Sequence, residues 1–170
     1  MSPNEIFAQM PESTSTLILG EMFETEKQLY KNLIENLASQ RKLRAIFVER
    51  KPRAERFAWI KEALSRKQNE HFAANLLQIW LVSRHAPMLC DFLDSLGIAH
   101  DTNGTVEEIP AQPERETLEK GVAALLEKYD PAIVAVYLQA FQALDDTGWP
   151  LLAELMAADP RLQLGTTAAA

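Results

Sequence analysis

Four polar side chains, His71, Asn75, Gln78 and His85, stand at spacings of i, i+4, i+7 and i+14 in a run that is otherwise apolar. On a helix they would form one stripe. Such a stripe could hold a small polar ligand, and a histidine within it could act as a general base near neutral pH. A narrow solvated side, or amides bonded to neighbouring helices, is the favoured reading, because no nucleophile or metal-ligand spacing accompanies the stripe. Cys90 follows His85 by five residues, but its neighbours are Asp91, Asp94 and the apolar Met88, Leu89, Phe92 and Leu93. Acidic and apolar surroundings oppose a thiolate, so a buried structural thiol is expected rather than a nucleophile. His71, His85 and His100 contain no HxxxH pair for zinc. Asp101, Asn103 and Gly104 echo a calcium loop, but that register puts Ala99 first and Pro110 twelfth, where Asp and a bidentate Glu are needed. A structural turn is expected there, with Asn103-Gly104 suited to a tiny hairpin between Ile98 and Val106. No glycine-rich phosphate loop and no GxSxG is found, and no cofactor or metal is expected.

Charge is the second source of candidates. The net charge of -7 divides into -4 over residues 1–40, +7 over 41–67 and -10 over 68–170. A basic segment in an acidic chain could meet nucleic acid, phosphate or an acidic protein, and Arg41, Lys42, Arg44, Lys51, Arg53 and Arg56 are the side chains that would do so. The plainer expectation is the wet face of two amphipathic helices, since a basic stretch alone is a weak nucleic-acid signal. Trp59, within this segment, is the tryptophan to watch for exposure; Trp80 and Trp149 read as anchors of the core.

Helices must position these residues. Only six glycines interrupt a chain rich in Leu, Ala, Glu and Gln, which favours helix over strand. Phe72 to Val82 is apolar on nearly every helical face, as in a helix surrounded by protein, and is too short to cross a bilayer, which takes about 20 apolar residues. Pro87 should end it near His85, with a shorter amphipathic helix following. Ahead of it, residues 1–12 read as a loose lead-in. One long helix is expected from about 15 to 38, capped by Ser13 or Thr14 and weakened at Gly20 unless close packing needs that glycine. A second, about 40–50, should bury Leu43, Ile46 and Phe47 and turn Arg41, Lys42, Arg44 and Arg50 outward, until Pro52 ends it.

From Pro52 the chain resembles itself. Residues 52–84 align on 113–145 at a constant offset of 61, with eight identities in 33 positions, among them Pro52/Pro113, Glu55/Glu116, Leu64/Leu125, Leu77/Leu138 and Gln78/Gln139. The offset then becomes 63, matching Pro87 with Pro150. This predicts a duplicated three-helix unit, with helices near 52–67, 69–84 and 87–96 and again near 113–128, 131–145 and 150–157. The apolar helices 69–84 and 131–145 would shield each other. Prolines at 52, 113, 131 and 150 suit first-turn positions, where no backbone donor is lost.

The expected fold is therefore all-α: a single-domain helical bundle with two extra N-terminal helices (13–51), a first unit (52–97), a connecting loop (98–112), a second unit (113–164) and a frayed tail (165–170). The leading functional expectation is a non-enzymatic protein-binding or scaffolding module that self-associates as a homo-oligomer, a dimer being the simplest. Its motive is the set of spare apolar residues Leu17, Leu19, Phe23 and Tyr30, together with the lack of a catalytic constellation. Nucleic-acid or phosphate binding through 41–67 ranks second, and a small-molecule enzyme using His71 and His85 ranks last. One cysteine and no signal-like N-terminus suggest a cytoplasmic protein that does not meet the membrane.

Overall fold

The computed structural model describes residues 1–144 and 147–165, and these are all helix, turn and loop, with no strand. Asp145-Asp146 and residues 166–170 of the tail lie outside the described residues. The chain divides into two compact units, Ser2–Ala74 and Asn75 onward.

The unit Ser2–Ala74 holds α1 (Pro3–Gln9), α2 (Glu12–Thr25), α3 (Lys27–Gln40), α4 (Ala45–Glu49), α5 (Arg53–Leu64) and a 3-10 turn at Lys67–Asn69. Helix α5 is its centre, packing on α1, α2 and α3 through Phe57, Ile60 and Leu64, all buried. Two expectations are corrected here. The N-terminal segment is not loose: α1 buries Ile6, Phe7 and Met10 completely or nearly so. Its start is held by Pro3 in the first turn and by the Ser2 backbone N–H donating to Glu5 Oε2 at 2.7 Å, which holds the Glu5 carboxyl below its usual range. The long helix 15–38 is also two helices. Glu26, at φ -118° and ψ 54°, leaves the helical region between α2 and α3. The bend brings Phe23 and Tyr30 into an edge-on contact at 5.1 Å; seven residues along a straight helix they would stand about 10 Å apart. Gly20 is buried where α2 meets α5, and a Cβ there would fall 2.8 Å from the flexible end of Arg53 and 3.9 Å from Phe57 Cε2, so packing does not by itself demand a glycine.

Helix α6 (Glu70–Ser95) begins in the first unit and continues in the second. It is bent at His85 (φ -128°, ψ 20°), two residues before Pro87, giving arms on either side of the break that the proline implies. The second unit adds α7 (Arg115–Lys128), α8 (Pro131–Leu144), α9 (Pro150–Ala158) and a 3-10 turn at Pro160–Leu162. Helix α8 is its core, with Val134, Val136, Leu138 and Ala140 fully buried and α7, α9 and the 3-10 turn packed on it. On the second arm of α6, Phe92 stands edge-on to Tyr137 and Phe141 of α8 at 5.7 Å each. Trp149 packs on Phe141 at 5.2 Å and donates its indole N–H to the Pro110 carbonyl.

Candidate interaction surface

The polar stripe does not assemble as a set of converging groups. His71 is exposed and lies on the ring of its neighbour Phe72 at 3.9 Å. Asn75 and Gln78 are exposed on α6, and His85, half-buried, meets the buried Trp80 ring at 4.5 Å.

Cys90 is half-buried, with its thiol facing the carbonyls of Asp101 (4.0 Å) and Thr102 (3.6 Å). Desolvation and then the charges of Asp94, Asp101 and Asp91 push its pKa up, which favours the inert thiol. Asp91 itself is engaged, accepting from Lys128 Nζ at 2.5 Å and from the Tyr129 hydroxyl. The 97–113 loop makes the expected turn at Gly104 (φ +77°): the Asp101 carboxylate accepts from the backbone N–H groups of Asn103 and Thr105, each at 2.8 Å. His100 joins this turn to the second arm of α6. Its Nε2 lies 2.8 Å from Asp94 Oδ1 and its Nδ1 lies 2.6 Å from the Asp101 carbonyl. Both ring nitrogens face acceptors, so the protonated ring fits best, and these bonds raise the His100 pKa. The backbone donors hold that of Asp101 down.

A pH dependence follows. The stabilisation from His100 is complete below its unfolded pKa of about 6.5 and is lost as pH rises through the raised folded value. That from Asp101 is complete above about 3.9 and is lost as pH falls through the lowered folded value. Amide exchange at residues 97–105, corrected for intrinsic rates, should therefore be slowest between about pH 4 and 6.5. Asp94→Asn should return the His100 titration toward the ordinary value; an unchanged histidine titration would show that the pair does not form.

The basic segment separates into two groups. Arg41 pairs with Glu62 at 3.2 Å and covers the half-buried Trp59 ring at 4.9 Å. Arg53 pairs with Glu24 at 3.7 Å and lies over Phe57 at 5.2 Å. Arg56 donates to the Glu49 carbonyl at 2.9 Å and lies over Phe23 at 5.4 Å. Its Nε and the buried Tyr30 hydroxyl make no well-aligned hydrogen bond; burial raises the tyrosine pKa and the nearby guanidinium partly offsets that. These three arginines are engaged with other groups of the unit. Lys42, Arg44, Arg50 and Lys51, by contrast, form no ion pair among the described residues.

The four free cations share the run 42–51 with three apolar residues expected in the core. Leu43, Ile46 and Phe47 are 43%, 42% and 60% exposed, while Val48 is 1% exposed. The reason is the length of α4. Five residues offer one face to α3, and Val48 occupies it, so the i, i+3, i+4 series of Leu43, Ile46 and Phe47 is left outside. The signal was present in the sequence as apolar residues on more faces than so short a helix can bury. Arg50, absent from the candidate cations above, belongs to this face.

The chain enters the patch through a strained residue. Lys42 has φ +54°, with its N–H bonded to the Ser39 carbonyl and the Leu43 N–H bonded to the Ala38 carbonyl. This is the double bond of a helix end that normally places glycine in the left-handed position. A lysine there costs about 1 kcal/mol.

A shallow cleft of about 310 Å³ lies in the same unit, lined by Glu12, Ser15, Thr16, Lys61 and Glu62 among others. Two of its charged groups are engaged in the fold: Lys61 Nζ donates to the Met10 carbonyl, and Glu62 accepts from Arg41 and Arg66. Among the described residues no three His, Cys, Asp or Glu side chains converge on a metal position, and no helix is long and apolar enough to cross a membrane. No protein-family model, curated protein or solved structure matches this chain.

Proposed function

We propose that this chain is a non-enzymatic protein-binding module whose docking face runs from Lys42 to Lys51. The observation that carries it is the exposure of Leu43, Ile46 and Phe47 together, in a run that also holds four cations without ion partners. Covering a large apolar side chain fully is worth about 1.5–3 kcal/mol, so a contiguous trio offers a binding partner much that solvent does not. A photo-reactive side chain at position 47 should crosslink one discrete protein in cells, and the product should vanish in an Ile46→Ser background. The same group at the exposed position 119 serves as control. No product above that control would remove the reading.

Self-association is the second reading. Its supports on α2 shrink to Leu17 and Phe23, since Leu19 and Tyr30 are buried. Static light scattering that gives a dimer insensitive to Phe47→Ser would favour it through α2; a strict monomer would end it. Nucleic-acid binding through 41–67 retains Lys42, Arg44 and Lys51 of the six candidate cations as free groups. The half-exposed single thiol agrees with a reducing, cytoplasmic setting, which cell fractionation would check.

We also infer that 52–84 and 113–145 descend from one duplicated segment. The helix starts at Arg53 and Arg115, and at Glu70 and Pro131, support it. A Cα superposition of the two segments that fails beyond single helices would end that inference.

A further inference from the structure

We propose that the Lys42–Lys51 face docks an acidic protein segment carrying two or three apolar anchors, supplied by a chain other than this one. The proposal rests on the docking reading above and adds the chemistry of the occupant.

Charge decides the sign of the partner. Four cations without ion partners lie in the same ten-residue run as the trio, 42–51, and one of them, Lys42, occupies a left-handed position where glycine would be less strained. Cations placed at the rim of an apolar contact steer and select an oppositely charged partner. The trio decides that the partner also brings apolar side chains, because Leu43, Ile46 and Phe47 gain nothing from a purely ionic surface.

A second copy of this chain does not meet both demands. Face against the same face sets four cations against four, which costs rather than contributes. The residues from 75 onward are acidic, at -9, but among the described residues every exposed large apolar side chain except Met1 lies between Leu17 and Phe47. The acidic residues beyond position 75 of a second copy would thus leave the trio uncovered by apolar groups, and its acidic α2 sets Leu17 and Phe23 about 120° apart around the helix, with Arg56 over the Phe23 ring, so it does not offer both to one face. An anionic membrane would meet the same cations through a field screened within about 8 Å at physiological salt, so comparison with vesicles, and not net charge, separates it from a protein segment. Nucleic acid would use the cations and leave the trio in water.

The test uses three labelled helical peptides with the full chain: one with Leu and Phe on one face and Glu elsewhere, a twin with every Glu changed to Lys, and a twin with the apolar residues changed to Ser. Fluorescence anisotropy should show the first binding at least about tenfold tighter than either twin, weakening as salt rises toward physiological strength. The Ile46→Ser, Phe47→Ser double variant, which alters exposed positions and should melt as the wild type does, should weaken it about tenfold again; Leu17→Ser should not. Equal binding of the Lys twin, or no binding of the Glu peptide, overturns the proposal. So does preference for phosphatidylserine-containing vesicles or a short single-stranded DNA when that preference is abolished by the same double variant. A discrete crosslink at position 47 with no preference for the acidic peptide would sink the partner chemistry alone and leave the docking reading standing.

Discussion

Phe92→Ala is expected to cost about 3–5 kcal/mol, the largest loss of any single change considered for this chain. Phe92 is fully buried on the second arm of α6 and meets two rings of α8, Tyr137 and Phe141, edge-on. The backbone of α7 closes a third side: a Cβ added at Gly121 would lie 3.5 Å from Phe92 Cε2. Helices on several sides and rings with few rotamers cannot collapse into the space left behind, so the cavity term adds to the lost transfer energy. The two ring contacts add about 0.5–1.5 kcal/mol each beyond area. Urea unfolding should show the midpoint falling by at least about 1 M at a slope of 1–3 kcal/mol/M. Phe92→Leu, which keeps most of the volume, should lose no more than about 1.5 kcal/mol. A loss below that for the alanine variant would mean that the second unit can repack around α8.

The sequence carried the helical class well because its punctuation is strong. Pro131 and Pro150 open α8 and α9, and Pro52 caps α5 from just outside. Pro87 breaks α6 two residues ahead of itself. The errors came where tertiary contacts override local preference. Nothing in Thr25-Glu26-Lys27 forbids a helix; the break accompanies α2 and α3 packing on each other, with Phe23 edge-on to Tyr30 and Tyr30 edge-on to Phe57. The α1 start is legible as Ser2-Pro3-Asn4-Glu5, a serine followed three residues later by glutamate. The interaction surface was half legible. Its cations showed in the charge count, but the apolar trio was assigned to the core because the i, i+3, i+4 pattern does not say whether anything waits to cover it. Which arginines are bound could not be read at all, since Glu24 and Glu62 pair with Arg53 and Arg41 across helices.

Gly104→Ala should separate a loop from its helix. Gly104 has φ +77°, and a Cβ placed on it would fall 2.6 Å from Leu89 Cβ and 3.3 Å from the Cys90 backbone nitrogen. Both are parts of α6 that cannot swing aside as a long side chain would. The left-handed conformation costs a residue with a Cβ about 1–2 kcal/mol, and forced crowding about 1–3 kcal/mol more. The cheaper response is for residues 101–105 to lift away, sacrificing the Asp101 bonds to Asn103 and Thr105 and the cover that the Asp101 and Thr102 carbonyls give the Cys90 thiol. The expected result is therefore twofold: a stability loss of about 2–4 kcal/mol and a thiol that reacts with a disulfide reagent at least about tenfold faster under native conditions, as local opening becomes cheap. Stability loss with unchanged thiol reactivity would place the strain in the whole second unit rather than the loop. If neither changes, Gly104 does not press on α6, and the turn that joins His100 to Asp94 must be built in another way.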